Sequence, residues 1–268
     1  MHVFNNLVYD VVLIFDGHKL MKRQPLLLIF SNTLYSLAML ISALLITWGI
    51  LSAADFFYPT FYQWLDIGQT IHEFGPQNRY KDGFETTVMT QHVDYFSQIV
   101  TAINHGGAGL TQISYPHLGQ QIPLLRDAEV QHLQDVANLM TKLFMVGGII
   151  FTMLVAAIAF KIKKGRTFSG VRAQITQLVS FVAVLVAICW LIGFKTVFYW
   201  FHEVAFPSEN DWFFYYQDSL MTTMMKAPML FAPISGAMVI LCCIVFVVLN
   251  WLVSVINSRL NESLLPNG

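Results

Sequence analysis

DAEVQHLQDVANLMTKLFMVGGIIFTMLVAAIAF, residues 127–160, is the stretch on which the reading of this chain turns. Its second part, Leu143–Phe160, carries no charge. As a helix at about 1.5 Å per residue it approaches the roughly 30 Å of a bilayer's hydrocarbon. Its first part holds Glu129, His132 and Asp135 at three-residue spacing, which on a helix places them along one broad face. A titratable cluster therefore stands where a membrane helix meets water.

Outward from this stretch, three more uncharged runs follow the same rule: Gln24–Ala54, Ala173–Phe194 and Ala227–Ser258. The 268 residues are 56% hydrophobic and only 12% charged, against about 25% charged in soluble domains. The expected class is all-α: a polytopic membrane protein with four transmembrane helices and a helical extracytoplasmic cap. Net charge is −1, which gives no case for a nucleic-acid partner. Cys189, Cys242 and Cys243 lie in apolar runs and read as small packing residues, without metal or redox spacing.

Basic residues orient the chain. Lys19, Lys22, Arg23, Lys161, Lys163, Lys164, Arg166, Arg172 and Arg259 fall on one side with three acids; the other side has six basic residues and thirteen acids. The positive-inside rule puts both termini in the cytoplasm. The layout expected is a cytoplasmic or interfacial segment (1–23, an interfacial helix rather than a signal peptide), a first span (24–54), an outer cap (55–136) and a second span (137–160). A cytoplasmic loop (161–172), a third span (173–197), an outer aromatic loop (198–226), a fourth span (227–258) and a cytoplasmic tail (259–268) complete it. Within the cap, Asp82 and Glu85 have the spacing of a helix start, and the apolar residues from Phe84 to Ile103 recur near helical period. His105-Gly106-Gly107 ends that helix, and Gly and Pro punctuate the rest up to Pro123. Lys195 reads as a residue snorkelling to the interface.

His132 lies eleven residues before Leu143, about 16 Å along a helix axis. His202 lies eight residues beyond Phe194 at the outer end of the third span, so two distant histidines reach the same interface. Ionisable groups at that depth are costly and point to function. Glu129 or Asp135 could accept a hydrogen bond from one nitrogen of His132 and leave the other as a base; Glu203 could serve His202. No Gly-x-Ser-x-Gly elbow, catalytic-cysteine context or phosphate loop is present. The other histidines, His2, His18, His72, His92, His105 and His117, read as surface residues.

Ala128–Val136 resembles the E-x-x-H-[ML]-x-D-V signature that precedes the second helix of the lipoprotein intramolecular transacylases. Phe201–Trp212 resembles that family's F-H-x-x-x-F…N-D-x-W segment, and Asp218, Leu220, Pro228 and Phe231 resemble its following tail. The first connecting loop is longer than is usual in the family, around 55–81 and 104–123. The resemblance implies an intramolecular acyltransferase of the bacterial cytoplasmic membrane, with its site at the outer leaflet. Its substrate is a mature lipoprotein whose N-terminal cysteine carries a diacylglyceryl group; one acyl chain moves from glycerol to the cysteine α-amino group, giving the lyso form. It implies catalysis by His132 and His202, with Glu129, Asp135, Arg126, Trp212 and Asp218 orienting them or binding substrate. No cofactor or metal is implied, and the enzyme is expected to act as a monomer among membrane lipids. Two readings of other classes compete: a metal- or haem-binding membrane protein using His132, Glu129 and His202, and a non-catalytic assembly factor.

Overall fold

The computed structural model describes residues 26–164 and 171–263. The expected segment 1–23, the middle of the 161–172 loop and the end of the 259–268 tail lie outside the described residues. Two compact units divide the chain, Met1–Leu37 and Ala38–Gly268; helix α1 (Leu26–Ala53) begins in the first, and the second carries everything that follows.

Among the described residues, four helices are long and apolar enough to cross a membrane: Phe30–Ala53 within α1, α5 (Asp127–Lys163), Arg172–Ile192 within α6 (Val171–Ile192), and Phe231–Leu260 within α9 (Phe231–Ser263). Among the described residues the fold is all-α apart from one hairpin. Helix α5 is unbroken from the titratable cluster into the apolar run. Asp127 and Glu129 occupy its first turn and Lys161 and Lys163 its last, each charge matching the helix dipole. Gly147 lets α1 and α5 meet closely: a Cβ there would stand 2.6 Å from a methyl of Leu45.

Between α1 and α5 lies the cap. Helices α2 (Tyr58–Trp64), α3 (Ile67–Phe74) and α4 (Met89–Asn104) form most of it. Helix α4 begins later than the Asp82–Glu85 spacing suggests. Gly83 is left-handed (φ 82°) and Val88 is extended, so the backbone at 83–88 leaves helical geometry. The cap is supplied instead by Gln91, whose Oε1 accepts from the Val88 N–H at 3.0 Å. A two-stranded antiparallel hairpin, β1 (Ser114–His117) and β2 (Gln120–Pro123), occupies a stretch read from sequence only as punctuated by Gly and Pro. Its two-residue turn, Leu118-Gly119, has positive φ at both positions, the geometry that matches strand twist.

The apolar core sits in this cap. Tyr58, Ile67, Ile71, Phe84, Ile99, Leu110, Tyr115 and Leu124 are essentially without exposure, and Tyr58 stacks on Phe96 at 4.1 Å. Helix α8 (Leu220–Met225), buried along its whole length, completes that core. The Tyr58 hydroxyl donates to the Met224 carbonyl at 2.8 Å, and Lys226 Nζ donates to the Leu65 carbonyl at 2.6 Å.

The third membrane helix ends earlier than the expected residue 197. Gly193 has φ 88° and ψ 137°, which interrupts the helix between α6 and α7 (Phe194–Ala205). Helix α7 therefore takes its own direction and turns one face toward α5.

Candidate active site

His132 lies on the second turn of α5 and His202 near the end of α7. Their rings are 6.0 Å apart, centroid to centroid, and their residues are 8% and 9% exposed. Aromatic rings wall the pair. Phe206 stands 5.1 Å from His132 and 5.3 Å from His202; Phe214 is 6.3 Å from His132; Phe198 and Trp212 are 4.1 and 5.0 Å from His202. These walls exclude water from two groups that would otherwise be solvated.

The Nδ1 of His202 lies 2.7 Å from the Phe198 carbonyl. A carbonyl only accepts, so Nδ1 carries the hydrogen and Nε2 keeps its lone pair in the neutral ring. Burial holds the His202 imidazolium below the usual histidine range, with the bond to the Phe198 carbonyl opposing the shift. Among the described residues, neither nitrogen of His132 is hydrogen-bonded. The pair thus presents unengaged ring nitrogen in a largely apolar enclosure.

The carboxylates do something other than orient His132. Glu129 is fully buried. Its Oε2 accepts the Arg126 backbone N–H at 2.7 Å, and its Oε1 accepts the Ser219 hydroxyl at 2.5 Å and the Met221 N–H at 3.3 Å. It therefore ties the first turn of α5 to the start of α8. Asp135 accepts from the Asn210 side-chain amide at 2.6 Å and from Gln131 at 3.5 Å. This pins the loop after α7 onto α5, one turn beyond His132. Neither carboxylate hydrogen-bonds to His132. Glu203 follows His202 in sequence but is exposed, whereas His202 is buried, so it does not hold that ring.

The remaining candidates divide. Trp212 is in the ring wall. The Arg126 guanidinium lies 4.3 Å over Tyr80 and 5.8 Å from the centroid of Phe214, and its Nε is 3.6 Å from Glu129. It belongs to the rim, one aromatic ring removed from His132. Asp218 is paired with Arg79 at 3.0 Å and serves the junction between cap and loop. Ser219, Phe214 and Tyr80 were not singled out by sequence; a serine or a phenylalanine in an aromatic loop carries no signal until its neighbours are known. His92 is not a surface residue: it is buried in the cap, between the Tyr62 hydroxyl (2.9 Å from Nδ1) and the Thr87 hydroxyl (2.6 Å from Nε2). Among the described residues, no three His, Cys, Asp or Glu side chains gather as metal ligands would.

The fold matches the membrane integral lipoprotein intramolecular transacylase Lit from Bacillus cereus with a TM-score of 0.62 at 14% identity, over 90% of this chain and 98% of that one. Structures of two variants of that enzyme, one histidine replaced by arginine or by alanine, match with TM-scores of 0.56, each at 14% identity. They cover 95% and 94% of this chain, and 97% of theirs. No curated protein matches. The family model described as lipoprotein intramolecular transacylase Lit covers residues 32–227, which include both histidines, the aromatic wall and the cap. The chain belongs to the lipoprotein intramolecular transacylase family of integral membrane acyltransferases.

Proposed function

We propose that this enzyme moves an acyl chain from the diacylglyceryl group of a bacterial lipoprotein to the α-amino group of its N-terminal cysteine, with His132 and His202 as the proton carriers. The observation that carries the reading is the convergence of these two rings, from separate helices, to 6.0 Å in a water-poor enclosure. An α-amino group has a pKa near 8, so much of it is protonated at neutral pH. A neutral imidazole takes the proton as the amine nitrogen attacks the ester carbonyl. The tetrahedral intermediate then expels the glycerol oxygen, which receives a proton. The C–N bond forms, the C–O bond breaks, and one proton passes from nitrogen to oxygen.

His132 is assigned as the base because both of its nitrogens are free of protein partners. His202, fixed by Phe198 with its Nε2 lone pair free, takes that proton on from His132 and delivers it to the departing oxygen. General acid–base steps of this kind contribute roughly 10²–10⁴-fold each. Amine and ester belong to one molecule, so much of the remaining work is positioning. Glu129 and Asp135 act by holding α8 and the 206–219 loop against α5. Trp212 packs His202, Arg126 faces the substrate's carbonyls at the rim, and Asp218 fixes the loop through Arg79.

The charge bias of the loops supports a site on the outer leaflet of the cytoplasmic membrane, with both termini in the cytoplasm. The layout of spans, cap, aromatic loop and tail, with the third span ending at Ile192, belongs to this proposal, as do monomeric action and the surrounding lipid. Mass spectrometry of a reporter lipoprotein's N-terminal peptide tests it. With His132→Gln or His202→Gln, transfer to nitrogen falls by about 10²-fold or more while the purified protein stays folded. Wild-type rates in either folded variant would remove that histidine from the mechanism.

A further inference from the structure

One flank of α7 carries a groove of about 390 Å³, lined by Lys195, Thr196, Tyr199, Trp200 and Glu203. These residues form a stripe two turns long, at i, i+4 and i+8 from Lys195, with Thr196 and Trp200 beside it. Lys195 reaches forward along the helix: its Nζ lies 5.4 Å from the Tyr199 ring centroid. Glu203, one turn beyond Tyr199, lines the same groove. One cation and one anion therefore flank an aromatic floor. Among the described residues neither has an ion-pair partner. Trp200 is 64% exposed. The groove begins three residues beyond Ile192, where the membrane helix α6 ends, which is the level of lipid headgroups.

We propose that this groove binds the headgroup of a phospholipid bearing a primary amine, that is, phosphatidylethanolamine. Lys195 and the Thr196 hydroxyl take the phosphate. Glu203 accepts hydrogen bonds from the ammonium, which also lies over the Trp200 and Tyr199 rings. A choline headgroup keeps the charge but has no N–H to donate, and a glycerol headgroup has no cation to offset Glu203. The acyl chains then lie along the apolar face of α6. The groove contains neither histidine, although its Tyr199 lies 5.6 Å from Trp212 of the ring wall, and it does not depend on the transfer mechanism.

Native mass spectrometry of the full-length protein in detergent, titrated with phosphatidylethanolamine, phosphatidylcholine and phosphatidylglycerol, tests it. The amine lipid is expected to bind about tenfold more tightly than the other two, the difference one charge-assisted hydrogen bond makes. Glu203→Gln abolishes that preference and Glu203→Asp, which keeps the charge, largely restores it. Lys195→Gln weakens all three lipids. Because both residues are exposed, these variants are expected to keep acyl transfer in detergent at the wild-type rate. Equal binding of the three lipids, tightest binding of phosphatidylglycerol, or an unchanged preference in folded Glu203→Gln would each overturn the assignment.

Discussion

Phe84 in the cap and Val184 in the middle of α6 are both large apolar residues, yet Phe84 has no exposed surface and Val184 is 57% exposed. The same contrast runs through the molecule. The cap buries tyrosines, phenylalanines, isoleucines and leucines against one another, as a small water-soluble domain would. The membrane helices leave Val155, Val184, Val186 and Ile240 facing outward. In the cap, apolar groups are driven inward by water. In the bilayer the surrounding lipid is as apolar as the side chain, so packing is selected by fit, as at Gly147 against Leu45. The histidine pair stands at the seam: α5 passes from one regime to the other, and His132 sits on its cap side.

This contrast can be broken or sharpened by experiment. Phe84→Ala removes a fully buried ring and is expected to cost about 3–5 kcal/mol in thermal or denaturant unfolding in detergent. Val184→Ala is expected to leave unfolding nearly unchanged. Equal effects would mean that the membrane helices bury surface as the cap does.

Next in size is Glu129→Gln. It sets an amide N–H₂ against the Arg126 N–H or against the Ser219 and Met221 donors, leaving a buried group unsatisfied. About 1–3 kcal/mol of stability is expected to go, with a fall in acyl transfer as α8 and the aromatic wall loosen. Normal unfolding with normal transfer would show that the tie between α5 and α8 is dispensable.

The smallest expected effect is a pH dependence confined to the cap. Burial, with the charge of His72 adding to it, pushes His92 down to about 4. The unfolded chain, with a histidine near 6.5, then binds more protons between about pH 4 and 6.5. Stability from this group is complete above 6.5 and is lost as pH falls through that window, on the order of 1–2 kcal/mol by pH 5. Unfolding midpoints of wild type and His92→Gln, followed from pH 7 to 5, measure it. Parallel curves would show that another group carries the acid sensitivity.

Most of the architecture was legible in the chain. Four uncharged runs announce four membrane helices because a bilayer leaves the backbone few alternatives. The hairpin was not legible: its strands hold Pro116 and Pro123, and its turn puts a leucine at positive φ, where glycine or asparagine is the usual sign. The break at Gly193 was hidden inside an apolar run, since a glycine there fits a continuous helix equally well on sequence pattern.

By itself the sequence determined the class of protein, the four helices long and apolar enough to cross a membrane among the described residues, and the two histidines whose rings the fold brings to 6.0 Å. Periodicity, charge and short motifs are local properties, and each can be read along the chain. Only the tertiary structure decided which groups act on those histidines. Glu129 and Asp135 share a helix with His132, and their spacing offered them as its partners. Folding instead brings Ser219, Met221 and Asn210 to them across intervals of 75 to 92 residues. A buried carboxylate takes the donors that packing delivers, because leaving either side unsatisfied costs more than any local contact returns. Spacing along one helix carries no record of that competition.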